Sequence, residues 1–253
     1  MDNTPLKGKV GLVTGAGRNI GRAIALALAD AGATVAVNVR ASRDEGQSVV
    51  DEIVGRGGDA MLVGADVTQR AEVDAMIAAI SKRFGRLDIV VNNAAIRHEH
   101  AFADLPFADW RAAQAVCVDG AFHCIQAALP SLRASGAGAV INIGGMTAHT
   151  GAAMRAHVVT AKAAIGGLTR ALAHELAEFG ITVNCVAPGM IDTVRNPASA
   201  TGNPRHRSGH EPLLGRCGTV DEIASAVVWL AGPGARFITG QTLHINGGAY
   251  LGV

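Results

Sequence analysis

Residues 14–21 read Thr14-Gly15-Ala16-Gly17-Arg18-Asn19-Ile20-Gly21. The segment lies between a short apolar run, Lys9–Val13 (KVGLV), and a stretch, Asn19–Ala31, whose Ala, Ile and Leu recur with helical periodicity. Glycines where a strand gives way to a helix let the backbone turn tightly and approach a pyrophosphate, whose charge the helix N-terminus stabilises. The spacing is TGxxxxxG rather than GxGxxG, with Asn19 where a further glycine is common. A glycine-rich segment alone is weak evidence, and the strand before and helix after it make the reading far more specific.

Outward from this turn the same beat repeats. An alternating, β-branched run at Thr34–Val39 precedes a helical stretch from Ser42 to Val54. Strand Ala60–Gly64, helix Gln69–Phe84 and strand Asp88–Val91 follow. A long helix is expected from Phe107 to Ala134, then strand Ala139–Ile143, helix Ala152–Glu178 and strand Thr182–Val186. Helix Val220–Leu230 and strand Thr242–Ile245 close the series. Seven strands alternating with helices predict a single α/β domain over residues 1–253, a Rossmann-type doubly wound parallel sheet with helices on both faces. The irregular stretch 192–217, rich in Pro, Gly, Asn, Arg and His, reads as a lid over a site.

Composition excludes several classes of function. Of 253 residues, 49% are hydrophobic, enough for a substantial core. The 22 basic and 21 acidic side chains leave a net charge of +1, which gives no electrostatic reason to expect nucleic acid or an anionic membrane as partner. Met1–Lys9 contain no apolar signal core, and no uninterrupted apolar run reaches the roughly 18 residues of a membrane span. Cys117, Cys124, Cys185 and Cys217 show no CxxC or zinc-finger spacing and read as thiols of a reducing cytoplasm. His98, Glu99 and His100 alternate on a loop, which is weak evidence for metal, and no metal site is expected. There is one tyrosine, Tyr250.

The sequence resembles the short-chain dehydrogenase/reductase family over nearly its whole length, with its 3-oxoacyl-carrier-protein reductase-like members nearest in character. The resemblance rests on TGAGRNIG at 14–21, ADVT at 65–68, NNAA at 92–95, the Lys162 helix, NCVAPGMIDT at 184–193 and GQTLHINGG at 240–248. It implies that Gly15, Gly17, Arg18, Asn19, Ile20 and Gly21 form the pyrophosphate turn. Asp66 and Val67 would then hold the adenine, Asn93 and Ala94 would stand beside the cofactor ribose, and Pro188, Gly189, Ile191 and Thr193 would line the nicotinamide. The second strand ends Asn38-Val39-Arg40, without a carboxylate for a ribose 2′-hydroxyl. Arg40 and Arg18 are expected to clamp a 2′-phosphate instead, which favours NADP(H) over NAD(H).

Where the resemblance implies catalysis, the residues depart from it. The family uses a serine, a tyrosine thirteen residues later, a lysine four beyond that, and an asparagine on the preceding long helix. Aligned on INIGG at 141–145 and on the Lys162 helix, Gly145 occupies the serine place and Val158 the tyrosine place. Lys162 keeps the lysine place, and Cys117 falls where asparagine is expected. Glycine has no hydroxyl, valine has no proton to give, and residues 1–249 contain no tyrosine to shift into register. His157, Thr147, His149 and Arg155 are nearby in sequence, but adjacent helix positions differ by about 100°, so His157 is expected to point away from the nicotinamide. Tyr250 would approach a neighbouring subunit's site if the tetramer that the resemblance implies forms.

Three functions stay open on this evidence. The first is an NADP(H)-dependent oxidoreductase of a carbonyl/alcohol substrate with a non-standard proton source. The second is a catalytically silent cofactor-binding partner or sensor, and the third a non-redox lyase or isomerase using the altered pocket. Arg195, Arg205, His206, Arg207 and His210 give the lid a basic character suited to an anionic small-molecule substrate. The resemblance also implies a homodimer or homotetramer, or a hetero-oligomer with an active paralogue.

Overall fold

The computed structural model describes residues 4–194 and 210–252. Strands β1 (Val10–Val13), β2 (Thr34–Val39), β3 (Ala60–Gly64), β4 (Ile89–Asn92), β5 (Ala139–Ile143), β6 (Thr182–Pro188) and β7 (Thr242–Ile245) form one sheet. Their order is β3-β2-β1-β4-β5-β6-β7 and every neighbouring pair is parallel. The connecting helices are α1 (Asn19–Asp30), α2 (Arg43–Gly55), α3 (Arg70–Phe84), α4 (Phe107–Gln114), α5 (Gly120–Ser135), the short α6 (Thr147–Thr150), α7 (Ala156–Leu176) and α8 (Val220–Ala231). The doubly wound parallel sheet expected from the alternating pattern is therefore the fold.

The strands read as continuous apolar runs because both faces are covered. Val13, Val35, Val37, Ile89, Val91 and Ile141 meet Ile24 and Leu28 of α1, Ile53 of α2 and Val227 of α8. Leu12, Ala36, Val90, Val140 and Val183 face the other way, onto Ile77 and Ile80 of α3, Leu132 of α5 and Leu176 of α7. Alternate residues of one strand thus serve two separate cores. The chain leaves β1 toward β2 on one side and reaches β4 on the other, so the sheet changes direction between β1 and β4. In open α/β sheets that switch point, at the carboxyl ends of the strands, is where ligands bind.

Two helices differ from the sequence expectation. The long helix is not uniform: Ala115–Asp119 is π-helical between α4 and α5, and this insertion carries Cys117. The helix expected from Ala152 begins at Ala156 instead, because Gly151 (φ 73°) and Met154 (φ 63°) adopt left-handed conformations that stop a right-handed helix. His157 therefore sits in the first turn of α7. By length and composition Phe107–Ser135 would suffice to cross a membrane. In the fold, Ile125, Ala128 and Leu132 of that stretch are already packed into the core beside β4 and α3.

One buried carboxylate ties the sheet to its helical cover. Asp88 is fully buried and accepts from Arg86 at 2.8 and 2.7 Å, from the Val10 amide at 2.9 Å and from Ser135 at 2.5 Å. Burial raises its pKa, but these donors, with Lys9 nearby, outweigh that and hold it at about 2. A folded-state pKa below the unfolded value of about 3.9 stabilises the protein above about pH 4, and the contribution is lost as the pH falls toward 2. Asp88→Asn is expected to cost about 2 kcal/mol near neutrality, with the difference from wild type shrinking below about pH 4. Urea titrations of both proteins across that range check it.

Candidate functional site

The turn after β1 is locked from two sides. The Thr14 hydroxyl accepts from the amides of Asn93 and Ala94 at 3.0 and 3.1 Å. The Asn93 side-chain amide donates to the carbonyls of Thr14 and Gly15 at 2.9 and 3.0 Å. On the β2 side, Asn38 is buried, accepts from the Gly15 amide at 3.4 Å and donates to the carbonyls of Val63 and Ala65 at 3.3 and 3.2 Å. The turn is thereby fixed to β2, β3 and β4 together. Neither Thr14 nor Asn38 stood out as a functional position in the sequence. The available signal was a lone amide in an otherwise apolar strand, TVAVNV.

The glycines are required by space as well as by conformation. Gly15 has φ 62°, and a Cβ there would stand 3.1 Å from the Ala94 Cα. A Cβ on Gly21 would lie 2.3 Å from the Gly15 carbonyl oxygen and 2.5 Å from the Asn93 side-chain nitrogen. Asn19 opens α1 with φ 50°, a left-handed value asparagine tolerates better than most residues. Its side chain donates to the Val194 carbonyl at 3.0 Å, which joins the turn to the start of the lid segment. No side chain caps α1, so its first amides are available to an anion lying against the turn. A backbone cradle that side chains would fill, at a helix N-terminus, fits a pyrophosphate.

Arg18 is exposed at the N-cap of α1, and Arg40 is 67% exposed at the end of β2, where its guanidinium lies 3.8 Å from Asp66. The other Asp66 oxygen accepts from the amide and hydroxyl of Thr68 at 2.9 and 2.8 Å. Val67 is buried, and its carbonyl contacts the His123 ring nitrogen at 3.0 Å. An open cleft of about 940 Å³ runs from Arg18 and Asn19 along α1 to Asp192 and Val194.

The expected catalytic positions come together around Lys162. A Cβ on Gly145 would lie 4.0 Å from the Lys162 side chain and 4.0 Å from the Thr147 hydroxyl, so a serine would fit there. Val158, one turn before Lys162 on α7, is 3% exposed. The Lys162 amine donates to the Ile143 carbonyl at 2.5 Å. Burial lowers its proton affinity; the Cys117 and Cys185 thiols work against that, while Arg97 and Arg155 reinforce it. A cavity of about 210 Å³ is lined by Gly145, His149, Lys162, Arg170, Cys185 and Thr242 among others. Pro188 ends β6 and Gly189 follows it, with the Pro188 carbonyl accepting from the Met146 amide at 2.9 Å.

The lone tyrosine has ring neighbours within its own chain. Tyr250 stacks on His149 of its own chain, with ring centroids 5.5 Å apart, and lies edge-on to His244 at 5.0 Å. It reaches the Lys162 cavity only through His149. The base of the lid is closed by a bridge between Ile191 and Gly218 and by the Asp192 amide donating to Gly218 at 2.8 Å. Thr193 and His210 are half-buried beside that base, whereas Arg195, Arg205, His206 and Arg207 lie outside the described residues.

Known proteins place this arrangement. A family profile described as Enoyl-(Acyl carrier protein) reductase matches residues 15–250. The chain is 40% identical to the 3-oxoacyl-[acyl-carrier-protein] reductase FabG of Staphylococcus aureus, across 96% of this chain and 98% of that protein. It is 38% identical to the FabG of Vibrio cholerae, across 97% and 99%. Among solved structures, a short-chain dehydrogenase from Burkholderia cenocepacia in complex with NADP superposes with TM-score 0.89 at 36% identity, covering 97% and 99% of the two chains. A dehydrogenase/reductase from Sinorhizobium meliloti superposes with TM-score 0.90 at 37% identity, covering 98% and 97%. Sheet order, glycine turn and end-to-end similarity agree, and the chain belongs to the short-chain dehydrogenase/reductase family.

Proposed function

We propose that the chain is a single NADP(H)-binding domain acting as an oxidoreductase on a carbonyl/alcohol substrate of 3-oxoacyl or related type, with a proton source other than tyrosine. The observation that carries the reading is the glycine turn locked to β4 by Thr14 and Asn93. It keeps a dinucleotide cradle intact although the tyrosine place holds valine. Gly15, Gly17, Ile20 and Gly21, with the amides opening α1, would hold the pyrophosphate. Arg18 and Arg40 would hold a 2′-phosphate, Asp66 and Val67 would border the adenine, and Asn93 and Ala94 would fix the wall beside the ribose. Pro188, Gly189, Ile191 and Thr193 would border the nicotinamide. When bound, the cofactor supplies the hydride.

Lys162 is the one cation among the four expected catalytic positions. A lysine whose proton affinity is lowered by burial is a better acid than a solvated one. We assign it the proton donor's role in place of the missing phenol, with His149 at the rim of the same cavity. The three buried cysteines are free, in keeping with a cytoplasmic protein. Phe107 and Phe122 are 74% and 46% exposed on α4 and α5, which supports pairing of these helices with a second copy or an active paralogue.

Three measurements test the reading. Gly21→Ala is expected to leave the fold intact by circular dichroism yet weaken NADPH binding at least about tenfold, because the added methyl must displace the Gly15 carbonyl or Asn93. NADPH is expected to bind more tightly than NADH, and Arg40→Ala to narrow the gap by about tenfold while leaving NADH affinity near wild type. Tighter NADH binding by the native protein would sink the 2′-phosphate assignment.

For the chemistry, slow oxidation of NADPH is expected with a panel of ketones and 3-oxoacyl thioesters. Gly145→Ser combined with Val158→Tyr should raise it by about 10²-fold or more. Tight NADPH binding without turnover in either protein would favour a silent partner subunit, a reading that the buried, proton-free Val158 side chain favours. Product formed at constant cofactor absorbance would identify a lyase or isomerase.

A further inference from the structure

We infer that His98, His100 and Asp109 form a binding site for a divalent transition-metal ion such as Zn²⁺, backed by the buried imidazole of His157. The two histidines follow β4, and Asp109 comes from the first turn of α4. The ligand atoms of the three residues all lie within 4.8 Å of one another. The His100 Nε2 is already 2.9 Å from an Asp109 carboxylate oxygen. Ligands on a tetrahedral ion with bonds of about 2.0–2.1 Å stand about 3.4 Å apart, so small side-chain rotations suffice to close the group on a metal. Two imidazoles and a carboxylate select zinc, cobalt, nickel or copper over magnesium or calcium, which prefer all-oxygen shells.

A second observation points to the same place from the opposite side. His157 is fully buried, and its ring nitrogens have no side-chain hydrogen-bond partner; the main chain of His98 lies beside them. A buried imidazole has two polar nitrogens to satisfy, and the His98 main chain can serve one of them. Its ring centroid lies 6.0 Å from that of His100. Burial first, and the charges of His100 and Arg155 next, lower its proton affinity; Asp109 and the His98 main chain act in the opposite sense. The buried His157 ring thus stands directly behind His100. Arg155 is an adverse charge for a cation, which the Asp109 carboxylate offsets.

The surrounding backbone makes the site rigid. The His100 amide donates to the Met154 carbonyl at 2.9 Å, and the Gln114 side chain donates to the His157 carbonyl at 3.2 Å. A bound ion would pin the segment after β4 and α4 together, against the start of α7, next to Val158. It is thus a clip on the wall of the substrate pocket, separate from the nucleotide cradle.

Equilibrium dialysis of the metal-stripped full chain against ZnCl₂ tests the assignment, with CoCl₂ as a spectroscopic probe of tetrahedral nitrogen and oxygen ligation. One ion per chain is expected. His98→Ala leaves the His100–Asp109 contact in place, and Asp109→Asn removes the carboxylate charge; each should weaken binding by about tenfold or more. His174→Ala, an exposed histidine late on α7, should not. Zinc should raise the melting temperature of the native chain and leave that of His98→Ala unmoved. No binding by the native chain, or binding equally tight in His98→Ala and Asp109→Asn, overturns the site.

Discussion

The site hangs on one short set of hydrogen bonds, those between Thr14 and Asn93. The turn after β1 contains left-handed and side-chain-free positions, so nothing within it holds its shape. The Thr14 hydroxyl accepts two amides from the end of β4, and the Asn93 side chain returns two donations to the turn. Charge-neutral bonds of this kind are each worth about 1 kcal/mol net. Their importance is geometric, since they align the first amides of α1 with the strand that leads to the histidine loop. Gly21 has no side chain because the Asn93 amide occupies the space a methyl would need.

That arrangement separates cofactor binding from proton transfer. The cradle is built from β1, α1, β2 and β4, whereas the expected proton-transfer positions belong to α7, the end of β5 and the π-helical insertion before α5. The two halves meet where β4 pairs with β5, and a buried chain of hydrogen bonds from Asn92 to Asn142, at 2.8 Å, and from Asn142 to Thr169 of α7, at 3.0 Å, joins them away from Gly145 and Val158. Gly145 and Val158 themselves make none of the bonds that lock the glycine turn to β4. What remains around Lys162 is a desolvated amine in a small cavity whose rim carries His149, with Tyr250 stacked behind it. The π insertion at Cys117 lies on the same side, as such insertions often do near functional centres.

The pocket wall beyond Val158 has a chemistry of its own. A fully buried histidine with no side-chain partner, two further histidines and an aspartate converge where the segment after β4 meets α4 and α7. Packing explains a buried apolar residue without further cause. It does not by itself explain a fully buried imidazole without a side-chain partner.

Most of the fold was legible in the residues. Apolar runs of four to seven residues alternating with helical periods fix a parallel sheet, because only a strand covered on both faces can be apolar at every position. TGAGRNIG pointed to the glycine turn between β1 and α1, and the sequence alone shows that no tyrosine precedes residue 250. Helix starts were less legible: Met154 in a left-handed conformation delays α7 to Ala156, a departure no periodicity records. The tie from Asn38 to Gly15, the stacking of Tyr250 on its own His149 and the meeting of Asp109 with His98 and His100 were decided only in three dimensions. The reason is physical. Periodicity and composition report what a residue prefers along the chain, whereas a hydrogen bond or a ligand set depends on where separate segments cross. Here those crossings follow from the order of strands in the sheet.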